Sequence, residues 1–198
     1  PFDGAGGSMH GLAVSADGRR VFATTAGDRL WIAERQDDGR LIWNRFITLP
    51  GPGGEGASHA CGLALSPDEK TAYVCLSRNN ALGVVDLEAG ELIAQIPVGV
   101  APMSVVLDAS SVNAWVSNWG GRRPEPGEPA APSSGTPVLV DERGIASHGS
   151  VSLVDLTERA ELAQVEVGLH PSGLAITRDG ATLYVANANS DTVSVVDT

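Results

Sequence analysis

Gly173-Leu174-Ala175-Ile176-Thr177-Arg178-Asp179-Gly180-Ala181-Thr182-Leu183-Tyr184-Val185-Ala186-Asn187 is the stretch from which the fold is read. A short apolar run leads into a turn carrying Asp-Gly, and a second apolar run with an aromatic follows, the pattern of two strands joined by a tight turn. The first run has three other versions: Gly11-Leu12-Ala13-Val14-Ser15, Gly62-Leu63-Ala64-Leu65-Ser66 and Ser104-Val105-Val106-Leu107-Asp108. The turns are Ala16-Asp17-Gly18-Arg19, Pro67-Asp68-Glu69-Lys70, Asp108-Ala109-Ser110-Ser111 and Arg178-Asp179-Gly180-Ala181. The second run recurs as Val21-Phe22-Ala23-Thr24, Ala72-Tyr73-Val74-Cys75 and Ala114-Trp115-Val116-Ser117, each with its aromatic in the same place.

A third strand is expected over 82–87, 151–156 and 193–197, and a fourth closes the first three repeats, as in 92–98 and 162–167. These strands are β-branched and often apolar on both faces, which suits sheets packed between neighbours. The spacings of the first strands, 51, 42 and 69 residues, fall at the period that marks repeat architectures, with an insertion in the third repeat. An all-β fold follows, a β-propeller of four-stranded antiparallel blades stacked radially. The blades are expected at 10–48, 60–98 and 102–167, with an incomplete one at 171–198.

Composition agrees. Apolar residues at 42% are enough for a core, and 24 glycines and 12 prolines favour a turn-rich fold. A net charge of −11 would repel a phosphate backbone, so nucleic acid is excluded as the expected partner. No apolar window is long enough for a transmembrane helix. Cys61 and Cys75 lack zinc-site spacing, and strand register decides whether their sulfurs share a face, so a disulfide is the lesser expectation.

Tyr184-Val185-Ala186-Asn187, its close variant Trp115-Val116-Ser117-Asn118 and the looser Tyr73-Val74-Cys75-Leu76 resemble the motif that names the YVTN (YncE-like) β-propeller family. The resemblance covers all four repeats and implies seven blades, of which about four are present here. Residues 1–9 offer no strand to complete the last blade. The Pro- and Gly-rich insertion at 119–149, with Ser117-Asn118-Trp119-Gly120-Gly121-Arg122-Arg123-Pro124 and Ser134-Gly135-Thr136-Pro137-Val138-Leu139-Val140-Asp141, is similar to a segment of one branch of that family. In that branch the propeller precedes a metal-dependent phosphoesterase domain of the alkaline-phosphatase superfamily. The resemblance implies an exported protein, periplasmic or extracellular, with catalysis and divalent metals downstream of residue 198 and an intramolecular contact to that domain. No cofactor is expected within these 198 residues.

The same geometry sorts the polar residues. His59 and His170 lie three residues before Gly62 and Gly173, and His10 directly precedes Gly11, which the propeller arrangement puts on one rim. Loops after the second strands bring Asn79, Asn118, Trp119, Asn187 and Asn189 to that rim, and the insertion adds Arg122 and Arg123. These ten form the candidate binding face for a small molecule or a protein. For the histidines, hydrogen-bonded structural roles outweigh metal ligation, because nothing local supplies further ligands. For the asparagines, turn-stabilising roles common to the repeats outweigh ligand contact. Arg122 and Arg123 could grip a phosphate or carboxylate in bidentate fashion, although a solvated pair in a mobile loop is the stronger reading.

Gly51 to Gly56 fits a dinucleotide fingerprint on paper but precedes a strand where a helix is required. No catalytic nucleophile and base can be named from spacing. The leading expectation is a non-catalytic binding scaffold. The alternatives are a lactonase-like hydrolytic site with His59 or His170 as base, and a stand-alone envelope interaction module.

Overall fold

The computed structural model describes residues 9–198; the reading of residues 1–8 lies outside it. The chain is all-β. Its first sheet runs β1 (Met9–Val14), β2 (Arg20–Thr25), β3 (Arg29–Arg35) and β4 (Leu41–Thr48), and its second β5 (Ala60–Leu65), β6 (Thr71–Leu76), β7 (Ala81–Asp86) and β8 (Glu91–Pro97). The third contains β9 (Pro102–Leu107) and β10 (Asn113–Asn118), then, after an inserted hairpin of β11 (Ala130–Ser133) and β12 (Thr136–Leu139), β13 (Gly149–Asp155) and β14 (Ala160–Val167). The last sheet has three strands, β15 (Pro171–Ile176), β16 (Thr182–Asn187) and β17 (Thr192–Asp197). Every pairing within these sheets is antiparallel and between sequence neighbours, apart from the step over the hairpin, and no sheet closes on itself.

The turns after the first strands explain the recurrent Ser/Thr-x-Asp. Ser15, Ser66 and Thr177 each donate a 2.6 Å hydrogen bond to the carboxylate of Asp17, Asp68 and Asp179, which in turn accepts from the amides of Arg19, Lys70 and Ala181. The same hydroxyls accept from the amides of Arg20, Thr71 and Thr182, which begin the second strands. The hydroxyl bond, ahead of the others, holds each of these carboxyls below the ordinary aspartate range. The Val-Val-Asp ending of the third strand has a matching reason. Asp86 accepts from the amides of Glu88 and Ala89, and Asp155 from those of Thr157 and Glu158, which turns the chain into the outermost strand.

The sheets pack face to face in sequence order, and their first strands lie side by side, β1 against β5, β5 against β9 and β9 against β15. The result is a propeller-like arrangement in which each core lies between two sheets. Phe22, Leu30, Ile47, Val74 and Leu76 fill the first interface, Leu82, Ile96, Val98 and Val116 the second, and Trp115, Val151, Leu183 and Val185 the third. Burial of each such side chain contributes about 1.5–3 kcal/mol. First strands approach so closely that a Cβ on Gly62 would stand 2.7 Å from the Met103 carbonyl oxygen and 2.8 Å from the Ser104 Cα.

One sequence reading changes here. The insertion, read as a mobile loop, is ordered by the β11–β12 hairpin and by a bridge between Val140 and Ala146. Its prolines at 132 and 137 face each other across the isolated pair, where sheet donors are not needed on the outer sides. Cys61 and Cys75 are both buried free thiols.

Candidate binding site

Three residues just ahead of first strands, His59, Ala101 and His170, share a left-handed backbone with φ of 50°, 55° and 50°. Non-glycine residues seldom adopt it, and histidine does so more readily than most. The conformation is held by a repeated clamp. The carbonyls of residues 58 and 59 accept the amides of Arg78 and Ser77, those of 100 and 101 accept Gly120 and Trp119, and those of 169 and 170 accept Asn189 and Ala188. Each of these three loops is thus tied to the entry of its own first strand, and all three left-handed residues line one cavity of about 140 Å3.

Arg78, Asn80, Trp119, Thr136 and the Ser133-Ser134 hairpin tip complete the wall, together with a few small residues. The Trp119 indole stacks on the His170 imidazole, with centroids 5.2 Å apart and planes 13° from parallel. Its Nε1–H is buried without an acceptor among the described residues. Asn80, itself left-handed at the end of the short 3-10 turn Ser77–Asn79, accepts the Ala101 amide at 2.9 Å and donates to the Thr136 hydroxyl at 3.0 Å. That second bond holds the inserted hairpin over the cavity. Arg78 donates to the Ala57 carbonyl at 3.0 Å and has no carboxylate within ion-pairing range among the described residues.

Of the ten rim residues expected from the sequence, the structure gathers His59, Trp119 and His170 at this cavity. The asparagines go elsewhere. Asn118 and Asn187 occupy the same repeat position, and each donates to two hydroxyls on the third strand: Ser150 and Ser152 for the first, Thr192 and Ser194 for the second. Each amide packs where a Cβ on Gly99 or Gly168 would stand, which accounts for the Val-Gly that follows the fourth strands. Asn79 donates to Pro50 and to Gln95, away from the cavity. His10 lies exposed at a bulge in β1, and Asn189 and Arg123 are exposed outside the lining.

Arg122 is committed to Glu128 by two bonds of 2.7 and 2.6 Å, and the Arg122 hydrogen bond lowers the Glu128 carboxyl to about 2. That fork pins the base of the insertion, and the arginine is not a free anion clamp. Arg78 and Asn80 share with Asn79 the loop expected at this rim but were not singled out within it, and Thr136 was not among the candidates. Asn80 carried a legible signal, since Asn before a strand is a residue of choice for a left-handed turn; the reach of Arg78 and Thr136 depends on contacts between distant segments.

No three His, Cys, Asp or Glu side chains cluster at metal-binding distance among the described residues. Among the described residues the two cavity histidines have no carboxylate partner there, and a histidine-hydroxyl pair, Ser147 with His148 at 2.8 Å, lies outside the lining.

No protein-family model and no curated protein matches the chain. Solved structures do. The chain is similar in fold to a putative 6-phosphogluconolactonase from Bacteroides uniformis, with a TM-score of 0.69 and 19% identity over 99% of this chain and 52% of that one. It is also similar to a functionally unknown protein from Desulfotomaculum acetoxidans, with a TM-score of 0.62 and 16% identity over 98% of this chain and 56% of that one. At these identities the likeness is one of fold, and the chain spans about half the length of the structures it matches.

Proposed function

We propose that the chain is a non-catalytic binding scaffold, about four blades of a seven-bladed YVTN-type propeller, whose binding site is the cavity between His59, Trp119 and His170. The observation that carries this reading is that three repeat-equivalent residues, a stacked indole and the tip of the insertion converge on one cavity with no paired acid or base among the described residues. The partial ring is supported by the last sheet. Val193 is 61% exposed, whereas Leu82 and Val151, in the same register of the second and third sheets, are fully buried by the sheet that follows. A further sheet of the same kind fits that face.

The likeness of the insertion to the propeller-phosphoesterase branch supports an exported parent protein with phosphate-ester hydrolysis and divalent metals in a following domain, to which this piece presents or gates substrate. The test is Trp119→Ala in the longer protein, read by ligand binding and phosphoesterase turnover. A loss of binding or interdomain contact with the fold intact is expected; unchanged binding and turnover would count against the scaffold. The gene sequence on either side of this chain decides between an attached enzyme and a stand-alone module.

A second reading, a hydrolytic site of the lactonase kind, is favoured by the convergence of two imidazoles on the cavity. Replacing His59 and His170 together by Gln tests it, and lactone turnover that survives the double change removes it.

A further inference from the structure

Resting on the binding-site reading above, we infer that the cavity takes a small oxyanion, a carboxylate or phosphate group, held by Arg78 and the Trp119 indole N–H. The chain carries 24 acidic against 13 basic residues, yet among the described residues no Asp or Glu lines this cavity. Its polar lining is rich in side chains that can donate: Arg78, Trp119, Asn80, two histidines and the hydroxyl residues Ser77, Ser133, Ser134 and Thr136, beside the small apolar Val100, Ala101, Val138 and Ala146. Three other clefts of the surface each carry carboxylates in their walls: Glu166 in one, Glu91 in another, and Asp68, Glu69 and Glu88 in a third.

Two of those donors are underused. Arg78 spends one N–H on the Ala57 carbonyl and has no carboxylate partner among the described residues, and arginine's planar fork matches an oxyanion. The Trp119 Nε1–H can only donate, is buried, and meets no acceptor among the described residues. A buried donor left unpaired costs about 1–3 kcal/mol, so an acceptor entering the cavity gains what that group lacks. The volume, about 140 Å3, is far above the ~10–15 Å3 needed by one water, and accommodates a compact acid. The hairpin tip, tied down through Thr136 and Asn80, restricts the size of what enters.

The experiment is an NMR titration of the chain with acetate, its neutral isostere acetamide, and inorganic phosphate at constant ionic strength. It is followed at the Trp119 indole N–H, assigned with Trp119→Phe, and at the amides of Ala101 and Gly120. Acetate or phosphate is expected to move these signals and saturate them, with acetamide weaker by about tenfold or more and Arg78→Gln costing a similar factor, as loss of a charge-assisted bond requires. The order of acetate and phosphate tells which oxyanion the site prefers. Because Arg78 also holds the Ala57 carbonyl, Trp119→Phe is a second variant; it keeps a stacking ring and is expected to weaken the anion several-fold and acetamide, whose carbonyl accepts the same N–H more weakly, by a smaller factor. Equal binding of acetamide and acetate overturns the oxyanion assignment and leaves the binding cavity standing. Silence of these signals to every probe overturns both.

Discussion

Trp119, at the end of the third sheet's second strand, lies 5.2 Å from His170, at the entry to the last sheet, with the two rings nearly parallel. Neither ring is placed by its neighbours in sequence alone. The indole follows a loop clamped to Ala101, the imidazole a left-handed residue clamped to Ala188, and the stack joins two sheets across the cavity mouth.

Trp119→Ala is expected to cost about 0.5–1.5 kcal/mol beyond the buried area it removes, the usual worth of an aromatic pair. Chemical denaturation gives the size of the effect, and circular dichroism should show the strand content unchanged. A larger loss with altered strand content would mean that the stack builds the fold and is not a site ornament.

Asn118 ties β10 to β13 from a fully buried position. Asn118→Ala leaves the Ser150 and Ser152 hydroxyls short of a partner and opens a gap beside Gly99, with an expected cost of about 1–3 kcal/mol. Asn189→Ala, at an exposed site, should stay within about 0.5 kcal/mol. Equal effects from the two would contradict the division between structural and exposed asparagines.

Gly62 and Gly173 share a repeat position but not its crowding. A Cβ on Gly62 runs into the backbone of β9, whereas one on Gly173 meets only the Ala186 Cβ at 3.7 Å. Gly62→Ala is expected to destabilise by about 1–3 kcal/mol through overpacking, and Gly173→Ala to be nearly neutral, as thermal melts of the two variants would show.

Burial pushes the Cys61 thiol up to about 11 and raises the Cys75 thiol well above its ordinary value. Only the thiolate reacts readily, so neither cysteine of the folded protein should titrate with a disulfide reagent near pH 8, and both should once it is unfolded. Prompt labelling of the native chain would refute this placement.

Glu128 has a folded pKa of about 2 against an ordinary 4.5, first through its bond to Arg122. A carboxyl depressed in this way stabilises fully above the ordinary value and loses that contribution as the pH falls through the folded one. The base of the insertion is therefore expected to stay pinned down to about pH 4.5 and to loosen between there and pH 2. Amide exchange at Glu125, whose own amide bonds to Glu128, follows the change, and Glu128→Gln should remove the pH dependence.

How much of this was legible follows from the range of the forces involved. Strands, turns and their order could be read from the residues because each rests on local chemistry repeated several times: Ser15 with Asp17, Ser66 with Asp68 and Thr177 with Asp179 close the same turn within a few residues. The alternation of apolar residues then fixes which faces must be covered. Tertiary structure decided which rim residues meet. Asn118 and Asn187 resemble rim ligands in sequence but turn inward, because paired hydroxyls on the neighbouring strand satisfy them. Arg122 looks free until Glu128 is placed beside it, and Arg78 looks ordinary until the cavity is seen to hold no carboxylate among the described residues. Repetition carries the local code of each sheet, while the site is assembled where unequal parts of different sheets and one insertion touch, and those contacts have no repeat to announce them.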